Sequence, residues 1–113
     1  MNSFLELTAS DNHKFSAYLA QPAERPKAGL IILQEIFGVN THIQEVTDLF
    51  SKKGYLAIAP SLFDRIEKNV QLSYDEKGVS KGRKLKDLCN DKALIDIEAS
   101  VSLVSSAGKV GVI

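Results

Sequence analysis

Glu35 stands where a carboxylate needs a reason. It lies in "LIILQEIFGVN", residues 30–40, where the apolar residues Leu30, Ile31, Ile32 and Leu33 end in Gln34 and Glu35 and are followed by Ile36, Phe37 and Gly38. An apolar run of this kind suits a central parallel strand covered on both faces. The carboxyl end of such a strand opens onto the crevice where ligands bind in open parallel sheets. A glutamate at that end, wedged beside Ile36 and Phe37, is expected to be partly desolvated and so suited to exchanging a proton with a neighbouring nucleophile. A carboxylate that merely accepts hydrogen bonds from loop amides or pairs with a basic side chain is the plainer reading.

The other residues with chemical potential are few. Cys89 is the single cysteine, which excludes an internal disulfide framework and a CxxC metal site and agrees with a reducing compartment. It falls in or beside a helix rather than at a strand end, so it reads as a small apolar residue. His42 belongs to the first turn of a helix and His13 to a hairpin turn; neither pairs with Cys89, and both read as exposed polar residues. No metal and no cofactor are expected. Arg83, in "KGRKLKD", reads first as part of a solvated basic face, and Arg65 closes the turn after a strand. Phe63 and Tyr74 could line a cleft mouth or anchor loops.

The elements that must hold these residues follow from the pattern. "SFLELTA" and "KFSAYLA" alternate in polarity around "SDNH", which predicts an antiparallel hairpin over 3–20. The prolines in "QPAERPK" make 21–27 a surface connection. A buried strand over 28–34 comes next, then the Glu35 turn, then a helix over 41–53 opened by a Thr41/Gln44 capping box and carrying Ile43, Val46, Leu49 and Phe50 at helical spacing. Gly54 ends it, and "YLAIA" forms a second parallel strand closed by Pro60, completing a βαβ unit. Residues 61–90 are polar and predict an excursion with one or two short helices. Asn90 or Asp91 is expected to cap a helix whose Leu94, Ile97, Val101 and Val104 share one stripe and which Gly108 terminates. "KVGVI", 109–113, begins another buried strand.

Composition bounds the partners. At 113 residues the chain is expected to form a single α/β domain over 1–113, with one core. Lys plus Arg and Asp plus Glu number 14 each, without a long run of either sign, so no footprint for nucleic acid or an anionic membrane is present. No apolar run approaches the roughly 20 residues of a membrane span, and the N-terminus lacks the pattern of an export signal, so a cytoplasmic protein is expected. A nucleotide site would need a glycine-rich turn after the first parallel strand; "QEIFGVN" has one glycine and an acid that repels phosphate.

"QEIFGVN" followed by an amphipathic helix, then "GYLAIAPSLFDR", "DIEASV" and "GKVGVI", resembles the N-terminal half of the dienelactone hydrolase (carboxymethylenebutenolidase) family. The resemblance implies the α/β-hydrolase fold and hydrolysis of lactones or esters by a cysteine, histidine and aspartate triad. Glu35 then matches the glutamate that helps deprotonate the nucleophile, and the backbone N–H of Ile36 matches one donor of the oxyanion hole. Family substrates carry a carboxylate met by arginine, one from the region matching 61–90, which makes Arg83 a candidate substrate contact.

In the family, "GKVGVI" leads into a G-x-C-x-G elbow that presents the nucleophile. The sequence reaches Ile113 before that elbow, so the expectation is an N-terminal part of an α/β-hydrolase fold, hairpin first and parallel strands after, inactive alone. Its small-molecule substrate would be met only in a full-length enzyme. Its last strand is expected to lie open and to draw copies into a homodimer or larger assembly. The alternative is a stand-alone binding or assembly module using the crevice near Glu35 or the open sheet edge.

Overall fold

The computed structural model describes residues 2–113. The N-terminal hairpin forms as its alternation requires. Strand β1 (Ser3–Thr8) pairs antiparallel with β2 (Lys14–Ala20), with Leu5 opposite Ala17 and Leu7 opposite Phe15. Asn12 takes a left-handed φ of 68° in the turn, a conformation its short polar side chain tolerates.

Strands β3 (Gly29–Ile31), β4 (Leu56–Pro60) and β5 (Val110–Val112) complete one sheet of order β1-β2-β4-β3-β5. β2 meets β4 antiparallel, whereas β3 runs parallel to both β4 and β5. The expected strand over 28–34 is shorter as a ladder, but its pairing continues past Ile31: Ile32 N–H donates to Ile58 O at 2.8 Å and Leu33 N–H to Ile113 O at 2.9 Å.

Successive side chains of a strand point to opposite faces, and both faces are covered here. Leu30, Ile32, Ala57 and Ala59 join Tyr18, Ala20, Val39 and Ile43 in a core on one side, the side of helix α1 (Thr41–Lys52). Ile31 and Ile58 join Phe15, Ala17, Leu19 and Val104 on the other, beneath helix α3 (Ala93–Val104). Helix α2 (Glu76–Cys89) stands apart, closing a smaller cluster of Phe63, Val70, Leu85 and Cys89.

Three expectations need correction. The cap of α1 is Asn40, not a Thr41/Gln44 box: Asn40 is buried and extended, its side-chain oxygen accepts from Ile43 N–H at 3.1 Å, and Gln44 Nε2 donates instead to Val39 O at 3.1 Å. Residues 61–90 hold one 14-residue helix, α2, capped by Asp75. On α3 the buried stripe is Asp96, Ser100 and Val104, with Leu94 63 % exposed, and neither Asn90 nor Asp91 caps it. Small or paired polar residues on that stripe let the helix lie close to the sheet. A Cβ on Gly29 would come within 2.6 Å of Val104 O.

After a single 3₁₀ turn (Ser105–Ala107), Gly108 reverses the chain at φ 103° into β5. β5 pairs with β3 along one side only and is the outer strand of the sheet, leaving Val112 and Ile113 54 % and 57 % exposed. No helix among the described residues is long and apolar enough to cross a membrane.

Candidate active site

The segment 34–40 links β3 to α1, and other parts of the chain fix it from several sides. Gln34 begins it: its side-chain oxygen accepts from Leu62 N–H at 2.8 Å, and its amide donates to the Glu35 carbonyl at 3.2 Å. Phe37 O accepts from Leu72 N–H at 2.8 Å, and Gly38 forms an isolated antiparallel bridge with Gln71. Gly38 has φ 81°, and a Cβ there would overlap Val70 O, so glycine is required twice over. The Phe37 ring meets Tyr74 edge-on at 4.5 Å, and Asn40 Nδ2 donates to the Tyr74 hydroxyl at 3.0 Å.

Helix α2 supplies the last support. A Cβ on Gly82 would overlap the carbonyl oxygen of Ile36, so the helix touches the turn backbone to backbone. Gly82→Ala must therefore push α2 and the turn apart. It should cost about 1–3 kcal/mol in urea unfolding, the scale of overpacking in a tight contact, and shift the amide resonances of Ile36 and Phe37. An unchanged unfolding midpoint would mean that this contact is looser than its geometry.

Glu35 and Ile36 line one cleft of about 220 Å³, together with Leu62, Phe63, Lys86 and Cys89 among others. The expected desolvation of Glu35 is not found: the residue is exposed. Its apolar neighbours pack elsewhere, Phe37 on Tyr74 and Ile36 on Gly82, and leave the carboxylate uncovered. No side-chain partner of Glu35 and no acceptor for the Ile36 N–H is present among the described residues. A free carboxylate and a free amide donor at consecutive residues of a rigid turn can receive a proton and stabilise an oxyanion.

The remaining candidates are placed as follows. Cys89 is buried, 3 % exposed, in the wall of the same cleft. Burial pushes its thiol up, and the charge on Asp96 adds to the effect, which lowers the thiolate fraction a nucleophile needs. Arg83 is exposed on α2 and lines a separate depression with Tyr74, Asp75, Val79 and Ser80. Neither histidine lines the Glu35 cleft. His42 is exposed on α1; His13 stacks on Phe15 with its Nε2 buried and unpaired, against the expectation of an exposed residue. No cluster of metal-ligating side chains occurs among the described residues.

Two features escaped the sequence reading. Gln34, beside Glu35, ties the ends of neighbouring parallel strands together. Arg65 bridges two aspartates, donating to Asp11 at 2.8 Å and to the wholly buried Asp96 at 2.8 Å. Burial pushes Asp96 up against the opposing pull of Arg65, and the guanidinium holds Asp11 at about 2. An aspartate flanked by isoleucines in "ALIDIEASV" is the signal that could have marked a buried, paired charge.

The chain is similar to known proteins over most of its length. Residues 15–113 match the dienelactone hydrolase family. A Synechocystis sp. protein provisionally named carboxymethylenebutenolidase is 37 % identical over 103 residues, covering 89 % of this chain and 42 % of the relative. The carboxymethylenebutenolidase of Pseudomonas putida is 31 % identical over 96 % of this chain and 49 % of its own length. Among solved structures, a provisionally named dienelactone hydrolase of Klebsiella pneumoniae subsp. pneumoniae superposes with a TM-score of 0.70 at 25 % identity, over 99 % of this chain and 49 % of that one. The chain spans half or less of the length of these proteins. The match over nearly the whole chain, together with the shared fold, means that this chain belongs to the dienelactone hydrolase family.

Proposed function

We propose that this chain contributes the proton-handling and oxyanion half of a cytoplasmic hydrolase acting on small lactones or esters. The observation that carries the reading is the pairing of the free Glu35 carboxylate and the free Ile36 N–H on one rigid turn beside one cleft. In this reading a nucleophile adds to the substrate carbonyl carbon. Glu35 takes its proton, and the charge gathering on the carbonyl oxygen is met by Ile36 N–H. Collapse expels the alkoxide, and water releases the acid. Cys89, buried and held protonated, is a poor source of that nucleophile, so the nucleophile is supplied by a segment other than these residues. Arg83 would meet an anionic substrate only if that substrate reaches from the Glu35 cleft to the Tyr74 depression.

The isolated 113-residue chain should therefore show no steady turnover of an activated ester, whereas a full-length member with the same turn should open a lactone to its hydroxy or oxo acid. Turnover by the isolated chain that is lost in Cys89→Ala would replace this reading with a site built on Cys89. We also propose that the chain pairs with a second copy through β5, whose outer side is open and whose Val112 and Ile113 are exposed. Light scattering at micromolar concentration should find a dimer or larger species, weakened by Val112→Lys. A monomer at the highest soluble concentration would contradict it.

A further inference from the structure

The Gln34 side chain has two partners, and one of them is part of the candidate oxyanion hole. The carbonyl of Glu35 and the N–H of Ile36 are the two ends of one planar peptide group, so fixing the direction of one fixes the other. Gln34 Nε2 donates to that carbonyl at 3.2 Å, while Gln34 Oε1 is anchored by Leu62 N–H at 2.8 Å, from the loop that follows β4. Gly82 of α2 packs against the next carbonyl, that of Ile36. The 35–36 peptide is thus held at its carbonyl end by a side chain, and the peptide that follows it is backed by a helix backbone. The Ile36 N–H, unpaired, is left to the cleft.

Resting on the hydrolase reading, we propose that Gln34 is a positioning residue: it locks the plane of the 35–36 peptide so that the Ile36 N–H is aimed before substrate arrives. A hydrogen bond to the carbonyl also draws charge along the amide and strengthens the N–H as a donor. Without the clamp the peptide can rotate about the bonds flanking it and turn the donor aside. A donor misplaced by about 1 Å can cost on the order of 10²-fold in rate.

Two measurements test this. In the 113-residue chain, Gln34→Met should shift the Ile36 and Leu62 amide resonances more than those of α1 and bring exchange broadening to Ile36. Gln34→Glu, which can still accept from Leu62 N–H but cannot donate to the Glu35 carbonyl, should disturb Ile36 and spare Leu62. In a full-length family member with the same Gln-Glu-Ile segment, the readout is the ratio of kcat/KM for an ester over its thionoester. Sulfur accepts hydrogen bonds poorly, so this ratio reports the oxyanion donors and is blind to the fraction of folded enzyme. Both replacements of the glutamine should lower it by about tenfold or more, with KM within about twofold. An unmoved Ile36 resonance, or an unchanged ratio while replacement of the neighbouring glutamate slows the reaction, would overturn the clamp and leave the hydrolase reading standing. Unchanged kinetics on replacing either residue would overturn both.

Discussion

Arg65→Met should lower the unfolding free energy of this chain by about 3–5 kcal/mol, the cost of stranding a buried charge whose partner is removed. Asp96 has no exposed surface and takes two hydrogen bonds from Arg65, from Nε at 3.2 Å and from Nη2 at 2.8 Å. The guanidinium is itself nearly covered, 12 % exposed at its side chain, so solvent screens this pair little. The same guanidinium reaches Asp11 in the hairpin turn, which makes it the tie between the hairpin and α3.

The pH dependence separates the two carboxylates. Asp11 is lowered from 3.8 to about 2, so its contribution is present above 3.8 and lost as pH falls through about 2. Asp96 moves the other way: burial raises it, so its charged form is a cost to the fold that is relieved when it takes up a proton. Arg65→Met removes the first effect and enlarges the second. The variant should gain stability as pH falls toward the ordinary carboxylate range, and should gain more than the unaltered chain, in which Arg65 still opposes the effect of burial on Asp96. Arg65→Lys, which keeps the charge but not the forked geometry, should fall between. Urea unfolding across that range measures all three; a loss under about 1 kcal/mol with a flat pH profile would mean that Asp96 is solvated through motions of α3.

Local patterns carried much of this architecture. The alternation in "KFSAYLA" predicts a hairpin strand, though the fold buries both of its faces from Ala17 to Ala20, and the βαβ unit is explicit in the apolar runs flanking the Ile43, Val46, Leu49 and Phe50 stripe. Long-range pairing was not legible. Asp96 reads as a break in an apolar helix face, and only the fold shows that Arg65, 31 residues away, arrives to pair with it. That pairing is why the buried face of α3 is rotated from the one its leucine and isoleucine would select. Helix α2 was blurred because half of its sequence is charged and its four buried residues Gly78, Gly82, Leu85 and Cys89 include two glycines, which weaken a helical signal even as they allow backbone contact. The Glu35 turn was visible as a candidate site because an acid followed an apolar strand. Its exposure was not, because the direction of Ile36 and Phe37 depends on Gly82 and Tyr74.

Glu35→Gln is the second large effect. The side chain is exposed and without a partner among the described residues, so the replacement should alter stability by no more than about 0.5 kcal/mol. Chemistry should respond differently. General-base assistance is worth about 10²- to 10⁴-fold, and a glutamine of the same shape cannot accept the nucleophile's proton. The measurement that reaches the central claim is single-turnover acylation, by rapid mixing with an activated ester, of a full-length family member carrying this turn, with glutamate or glutamine at the position of Glu35. Acylation slower by about tenfold or more, with the fold and substrate affinity retained, is the result expected; equal acylation rates would contradict it and leave Glu35 a surface carboxylate beside a cleft it does not serve.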